Sequence, residues 1–231
     1  MRLVVLPHAG GNANFYRDLV HYLSSEIECI IIQYPGRQER LLEDMVNTID
    51  DYADRVTQVL SVMDGDKPTV LFGHSMGALI AYNMLNRHGH KLTSILSLIV
   101  SCHTPSTKKA SREFNMDEDN SIIEYLKSIG GLDDIIFENK MMLDLIIPAV
   151  RNDLYAVRNF SLTKAYKVAV PIYGIQASED YGVKRSDMQK WSLLTEKEFE
   201  LVEFPGNHFY MLDQWGKLAD YLQRICNSME H

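Results

Sequence analysis

The chain has 231 residues, 46% hydrophobic and 23% charged, which suffices for the core of one large domain. Its 23 Lys and Arg against 31 Asp and Glu give a formal charge of -8, and no basic run is long enough to follow a nucleic-acid backbone, so DNA and RNA are excluded as partners. Cys29, Cys102 and Cys226 form no disulfide or metal-ligand pattern, and no apolar run approaches the roughly 18 residues needed to span a bilayer. A reducing cytoplasm and no membrane association are expected, which leaves the sequon-like Asn159-Phe160-Ser161 unused.

Residues 2 to 7 (RLVVLP) and 28 to 35 (ECIIIQYP) are short β-branched runs closed by proline, the pattern of strands buried on both faces. Between them NFYRDLVHYLSS spaces Phe15, Leu19 and Tyr22 or Leu23 helically, completing a β-α-β unit. A second helix begins behind Thr48 as N-cap and aligns Ile49, Tyr52, Val56, Val59 and Met63. A strand over 69 to 74 (TVLFGH), a helix over about 76 to 87 and strands in SILSLIVS, VPIYGI and FELVEF follow; the last helix runs near 213 to 227 with Asp213 as its cap. Six strands alternating with helices predict a mostly parallel, doubly wound α/β sheet, whose ligands gather at the carboxyl ends of its strands.

The alternation fails between about 104 and 160. SIIEYLKSIGG (Ile122, Leu126, Ile129), MMLDLIIP bounded by Pro148, and AVRNDLYAVRNF (Val150, Leu154, Val157) predict three helices in succession. One crossover takes one helix, so the surplus predicts a helical lid inserted into a single domain spanning 1 to 231, with Met116, Met141 and Met142 as a deformable lining.

The stretch VLFGHSMGALIAY places Ser75 between Gly73 and Gly77 where a buried strand meets a helix. Such a G-x-S-x-G turn is the nucleophile elbow of the α/β-hydrolase fold: the glycines relieve crowding at a sharp reversal and the serine projects above the sheet. The helix N-terminus behind it offers unpaired N–H groups, and the Met76 N–H is the first candidate oxyanion donor. A serine hydroxyl is a poor nucleophile at neutral pH and needs a histidine base oriented by an acid, in the chain order Ser, Asp or Glu, His. Of eight histidines, His208 leaves a strand on the loop FPGNHF; His88, His90 and His103 precede any acid-bearing strand, and His231 is terminal. His88 and His90 are expected to serve a helix C-terminus, and His74 to pack. The loop after VPIYGI delivers Glu179 and Asp180; Asp180 is preferred, with Glu179 open on spacing. LPHAGGN offers a second oxyanion donor, the Ala9 N–H, with His8 shaping the loop and Asn12 or Asn14 capping the helix beyond it.

Taken together, LPHAGGNANFY, YPGRQER, VLFGHSMGALIAYNM, LKSIGGL with LIIPAVRNDL, PIYGIQASED and FPGNHFYM resemble, in family order and over nearly the whole chain, the external or type II thioesterases of nonribosomal peptide and polyketide synthases. The resemblance implies Ser75, Asp180 and His208 as a triad, Ala9 and Met76 as oxyanion donors, and a mobile lid over about 104 to 160. It also implies the substrate, an acyl or aminoacyl thioester on the phosphopantetheine arm of a carrier protein. Two departures stand out: Cys102-His103 replaces the family's usual Gly-Arg, and the chain opens on its first strand without the short leader common in relatives. No cofactor or metal is expected, and the protein is expected to act as a monomer that meets its carrier transiently. Because a charge of -8 repels acidic carriers at long range, Lys108, Lys109 and Arg112 are the expected local docking residues. A small-molecule carboxylesterase or lipase would use the same machinery, and a catalytically silent binding protein is the remaining alternative.

Overall fold

Apolar runs too short for helices pair into one six-stranded sheet in the computed structural model, which describes residues 1–63, 67–105, 115–132, 134–162 and 165–229. Strands β1 (Arg2–Leu6), β2 (Glu28–Ile31), β3 (Thr69–His74), β4 (Ile95–Ser101), β5 (Ile172–Ala177) and β6 (Phe199–Phe204) lie in the order β2-β1-β3-β4-β5-β6. Every pairing is parallel. The α-helices among the described residues are α1 (Arg17–Tyr22), α2 (Ile49–Val62), α3 (Met76–His88), α4 (Asp119–Ile129), α5 (Asp134–Glu138), α6 (Lys140–Asn159), α7 (Arg185–Met188) and α8 (Trp215–Ser228). This is the α/β-hydrolase kind of doubly wound sheet.

Alternation along the strands explains the layers. Val4 and Leu6 of β1 join Leu71, Leu98 and Val100 in the core under α2 and α3, while Leu3 and Val5 join Val70, Phe72 and Ile99 in the core under α1 and α8. The central strands are therefore apolar on both faces. Strand β2 departs from its expected span and burial: it ends at Ile31, is half-exposed, and pairs with β1 alone. An edge position needs only one buried face, and Pro35 cannot extend the ladder.

Between β4 and β5 the helices α4 and α6 bury Ile122, Leu126, Ile147 and Val150 in a small core of their own. Here Pro148 does not bound a helix; it lies inside α6, which runs unbroken from Lys140 to Asn159. A proline in a helix interior costs about 3 kcal/mol, and burial of Ile147, Ala149, Val150 and Ala156 on either side offsets it. The first helix is also shorter than its pattern: Asn12 caps a 3-10 turn over Ala13–Tyr16 by accepting from the Phe15 N–H before α1 begins. Thr48 caps α2, its hydroxyl accepting from Asp51 N–H at 3.0 Å. Asp213 does not cap α8: it closes a 3-10 turn, and Gln214 holds the cap position without a side-chain bond.

Helix α3 approaches the sheet backbone to backbone. A Cβ on Gly77 would lie 1.9 Å from the Leu6 carbonyl oxygen, and one on Gly73 would lie 2.3 Å from the Gly77 oxygen. Neither neighbour is a side chain able to rotate away. Gly77→Ala is expected to destabilise the fold by about 3 kcal/mol, lowering Tm by roughly 6 to 12 °C; calorimetry showing an unchanged Tm would contradict this close approach.

Candidate active site

Ser75 follows the last residue of β3 and immediately precedes α3, with φ 54° and ψ -119°. A non-glycine residue pays a steric cost in this region and stays there only when its surroundings hold it. The Ser75 N–H donates to the Ser101 carbonyl at 2.8 Å, which ties the turn to the end of β4. Met76 is the first helical residue, so its N–H has no acceptor within α3.

His208 lies on the loop after β6 and Asp180 on the loop after β5. The His208 Nδ1 is 2.7 Å from Asp180 Oδ2, with the two side chains only 11% and 5% exposed. Nδ1 is thus occupied, leaving Nε2 as the nitrogen that can take up another proton. Glu179 stands beside Asp180 with its N–H donating to the Gly206 carbonyl at 2.8 Å; the carboxylate bonded to His208 is that of Asp180.

Ser75, Asp180, His208 and Ala9 line one cavity of about 1480 Å³ at the carboxyl ends of the strands. Its opposite wall comes from α4 and α6, including Leu126, Ile146, Val150 and Leu154. Met116 also lines it, whereas Met141 and Met142 point outward, 75% and 43% exposed. Met76 is fully buried and, unlike Ala9, is not among the residues that line this cavity. Lys108, Lys109 and Arg112 lie outside the described residues.

Cys102 follows the last residue of β4 at φ 51°, fully buried. Its sulfur lies with donor atoms of Asp180 and His208, all within 4.8 Å of one another, the grouping among the described residues that could hold a metal ion. Burial and the neighbouring Asp180 charge push the Cys102 thiol well above its ordinary range, and His208 and Asp180 already satisfy each other.

The other histidines divide clearly. His88 pairs with Asp54 at 2.5 Å, so it answers a side-chain carboxylate across to α2 in addition to ending α3. His8 bonds the Tyr16 hydroxyl through Nδ1 at 2.9 Å, and His74 bonds the Ser101 hydroxyl through Nδ1 at 3.0 Å, with its ring 5.0 Å from that of His208. Burial, reinforced by the His208 and Arg37 charges, lowers His8 to about 3. Burial lowers His103 to about 4 and holds His74 well below its ordinary range. The rings near His208 thus stay neutral around it. Two residues quoted above without a role, Arg37 and Asp153, form a buried ion pair at 2.7 Å against the loop carrying Ala9. A carboxylate on the apolar stripe between Val150 and Val157 was the available sequence signal.

A family model described as a thioesterase domain matches residues 1–226. TesA of Mycobacterium marinum, a thioesterase, is 30% identical over 211 residues, covering 90% of this chain and 84% of that protein. GrsT of Aneurinibacillus migulanus, a gramicidin S biosynthesis protein, is 25% identical and covers 96% of this chain and 87% of its own length. The solved structure of BorB, a type II thioesterase from the borrelidin biosynthetic cluster, matches with a TM-score of 0.85 and 28% identity over 96% of this chain and 91% of that one. No helix among the described residues is long and apolar enough to cross a membrane.

The neutral histidines carry a pH signature. His8, His74 and His103 are depressed in the folded state, so below their unfolded value of about 6.5 the unfolded chain binds protons that the folded chain refuses. Stability is then complete above pH 6.5 and falls as pH drops, by up to about 1.4 kcal/mol per pH unit for each histidine. Urea denaturation at pH 7.5 and pH 5.5 is expected to show the loss, and equal midpoints would contradict it.

Proposed function

The chain belongs to the thioesterase family, and from that premise we propose that it is an external thioesterase which hydrolyses acyl or aminoacyl groups from the phosphopantetheine arm of carrier proteins in nonribosomal peptide or polyketide assembly. Support comes from the biosynthetic settings named for BorB and GrsT. The observation that carries the chemistry is a serine held at positive φ on a helix N-terminus, sharing a cavity with a histidine bonded to a buried carboxylate.

In this mechanism His208 Nε2 takes the Ser75 proton as the oxygen attacks the thioester carbonyl. The C–O bond forms, the carbonyl electron pair moves onto oxygen, and the Ala9 and Met76 N–H groups hold that oxyanion. Collapse breaks the C–S bond, and the pantetheine thiolate leaves with the proton from His208. Water then enters, gives a proton to the same imidazole and releases the acid from Ser75. Asp180 keeps the ring oriented and stabilises its charged form. Every proton and charge in this cycle is handled by groups of this chain, so it calls for no cofactor.

In the same reading, residues 1 to 231 are one domain in which the helices over about 104 to 160 are a lid, and the apolar wall of α4 and α6 receives the acyl group. Lys108, Lys109 and Arg112 would meet an acidic carrier locally against the chain's overall charge of -8.

Ser75→Ala and His208→Ala are each expected to lower kcat for acyl-pantetheinyl carrier hydrolysis by about 10⁶-fold and Asp180→Asn by about 10⁴-fold. Glu179→Gln should stay within about threefold of the parent. Release of free acid from loaded carriers, with a matched oxygen ester alongside, checks this. Full activity in Asp180→Asn, or turnover of the oxygen ester alone, would contradict it.

A further inference from the structure

Residues 8 to 11 form a turn in which the Gly11 N–H donates to the His8 carbonyl at 2.9 Å and Gly10 holds φ 74°, the third position of a type II turn. In a trans peptide the C=O and N–H point in opposite directions, so tying up the His8 carbonyl directs the Ala9 N–H away from the turn. Ala9 shares the cavity wall with Ser75. A partner outside the turn holds the next amide along, that of Gly10.

Asp153 of α6 does so from behind. Its carboxylate, wholly buried, accepts the Gly10 N–H at 2.8 Å and also Arg37 Nη1 at 2.7 Å, Arg37 Nη2 at 3.0 Å and the Tyr52 hydroxyl at 2.6 Å. Arg37 in turn donates to the Gly11 carbonyl at 3.2 Å. On the same helix Val150 occupies the space a Cβ on Gly10 would need, 2.3 Å away. A buried ion pair is weak evidence for stability, since an apolar pair of similar volume often serves as well. What an apolar pair cannot supply is an acceptor for the amide next to Ala9.

We propose that Asp153, braced by Arg37 and Tyr52, is the positioning residue of the oxyanion hole: it pins the Gly10 amide and thereby sets the Ala9 N–H against the place where the substrate oxygen becomes charged. The inference rests on the reading of Ala9 as an oxyanion donor. Asp153 is absent from the cavity wall, so it acts through the loop and touches no substrate. The oxyanion exists only at and near the transition state, so a displaced donor lowers kcat and leaves ground-state binding alone.

Asp153→Leu, which removes the acceptor for the Gly10 amide, is expected to lower kcat by about 10- to 100-fold with KM within about threefold of the parent. A trifluoromethyl ketone matching the acyl group, which forms a tetrahedral adduct on Ser75, should lose affinity by the same factor, while a non-hydrolysable thioether analogue binds as before. Because Asp153→Leu leaves Arg37 buried without its countercharge, the double variant Arg37→Met with Asp153→Leu removes both charges. It should fold, shown by a cooperative thermal transition, yet remain as slow. Parent-like kcat in either variant, or equal weakening of both inhibitors, would overturn the proposal. If the parent protein neither forms the ketone adduct on Ser75 nor hydrolyses acyl thioesters, the oxyanion reading itself falls; normal parent turnover with an insensitive Asp153 removes this inference alone.

Discussion

The structure depends on one contact between backbones. Helix α3 meets the end of β1 with no side chain between them at Gly77, and Gly73 meets the same helix from the strand. That closeness forces the chain through a reversal too tight for ordinary dihedrals, and Ser75 takes the strain at φ 54°. Fully buried residues of α3, from Met76 to Met84, anchor the helix against the core, so the strained residue cannot relax. Position, exposure and the helix N-terminus behind the hydroxyl all follow from that one approach.

Around it the protein keeps charge scarce. His8, His74 and His103 stay neutral because burial penalises their protonated forms, and the carboxylate bonded to His208 is almost wholly removed from water. An imidazole beside neutral rings and one carboxylate gains from that carboxylate more than it would in water, because the local dielectric is low. The second buried carboxylate, Asp153, accepts a backbone amide, so one carboxylate on the cavity wall bonds His208 and another, behind the wall, bonds the loop that carries Ala9.

Local patterns were readable in the sequence and distant partnerships were not. The six strands follow from short β-branched runs, the elbow from glycines two residues either side of Ser75, and the cap on α2 from Thr48, because each is decided by neighbours in the chain. Pro148 misled because the helix-breaking tendency of one residue is outweighed by burial on both sides of it. Asp213 looked like a cap because the 3-10 turn that absorbs it has no strong periodic signature. Glu179 and Asp180 are adjacent and alike, and only the direction of the turn distinguishes which carboxylate reaches His208. Arg37 and Asp153 are 116 residues apart, so no window of sequence contains the pair.

The central claim is that the strained hydroxyl, and no other nucleophile in the cavity, receives the acyl group. Acid-quenching the protein during turnover of an acyl-pantetheinyl thioester and mapping the digested peptides by mass spectrometry reads this directly. The account requires the acyl mass on Ser75. An acyl mass on Cys102 or another residue, or rapid turnover with every peptide unmodified at the earliest times, would contradict it.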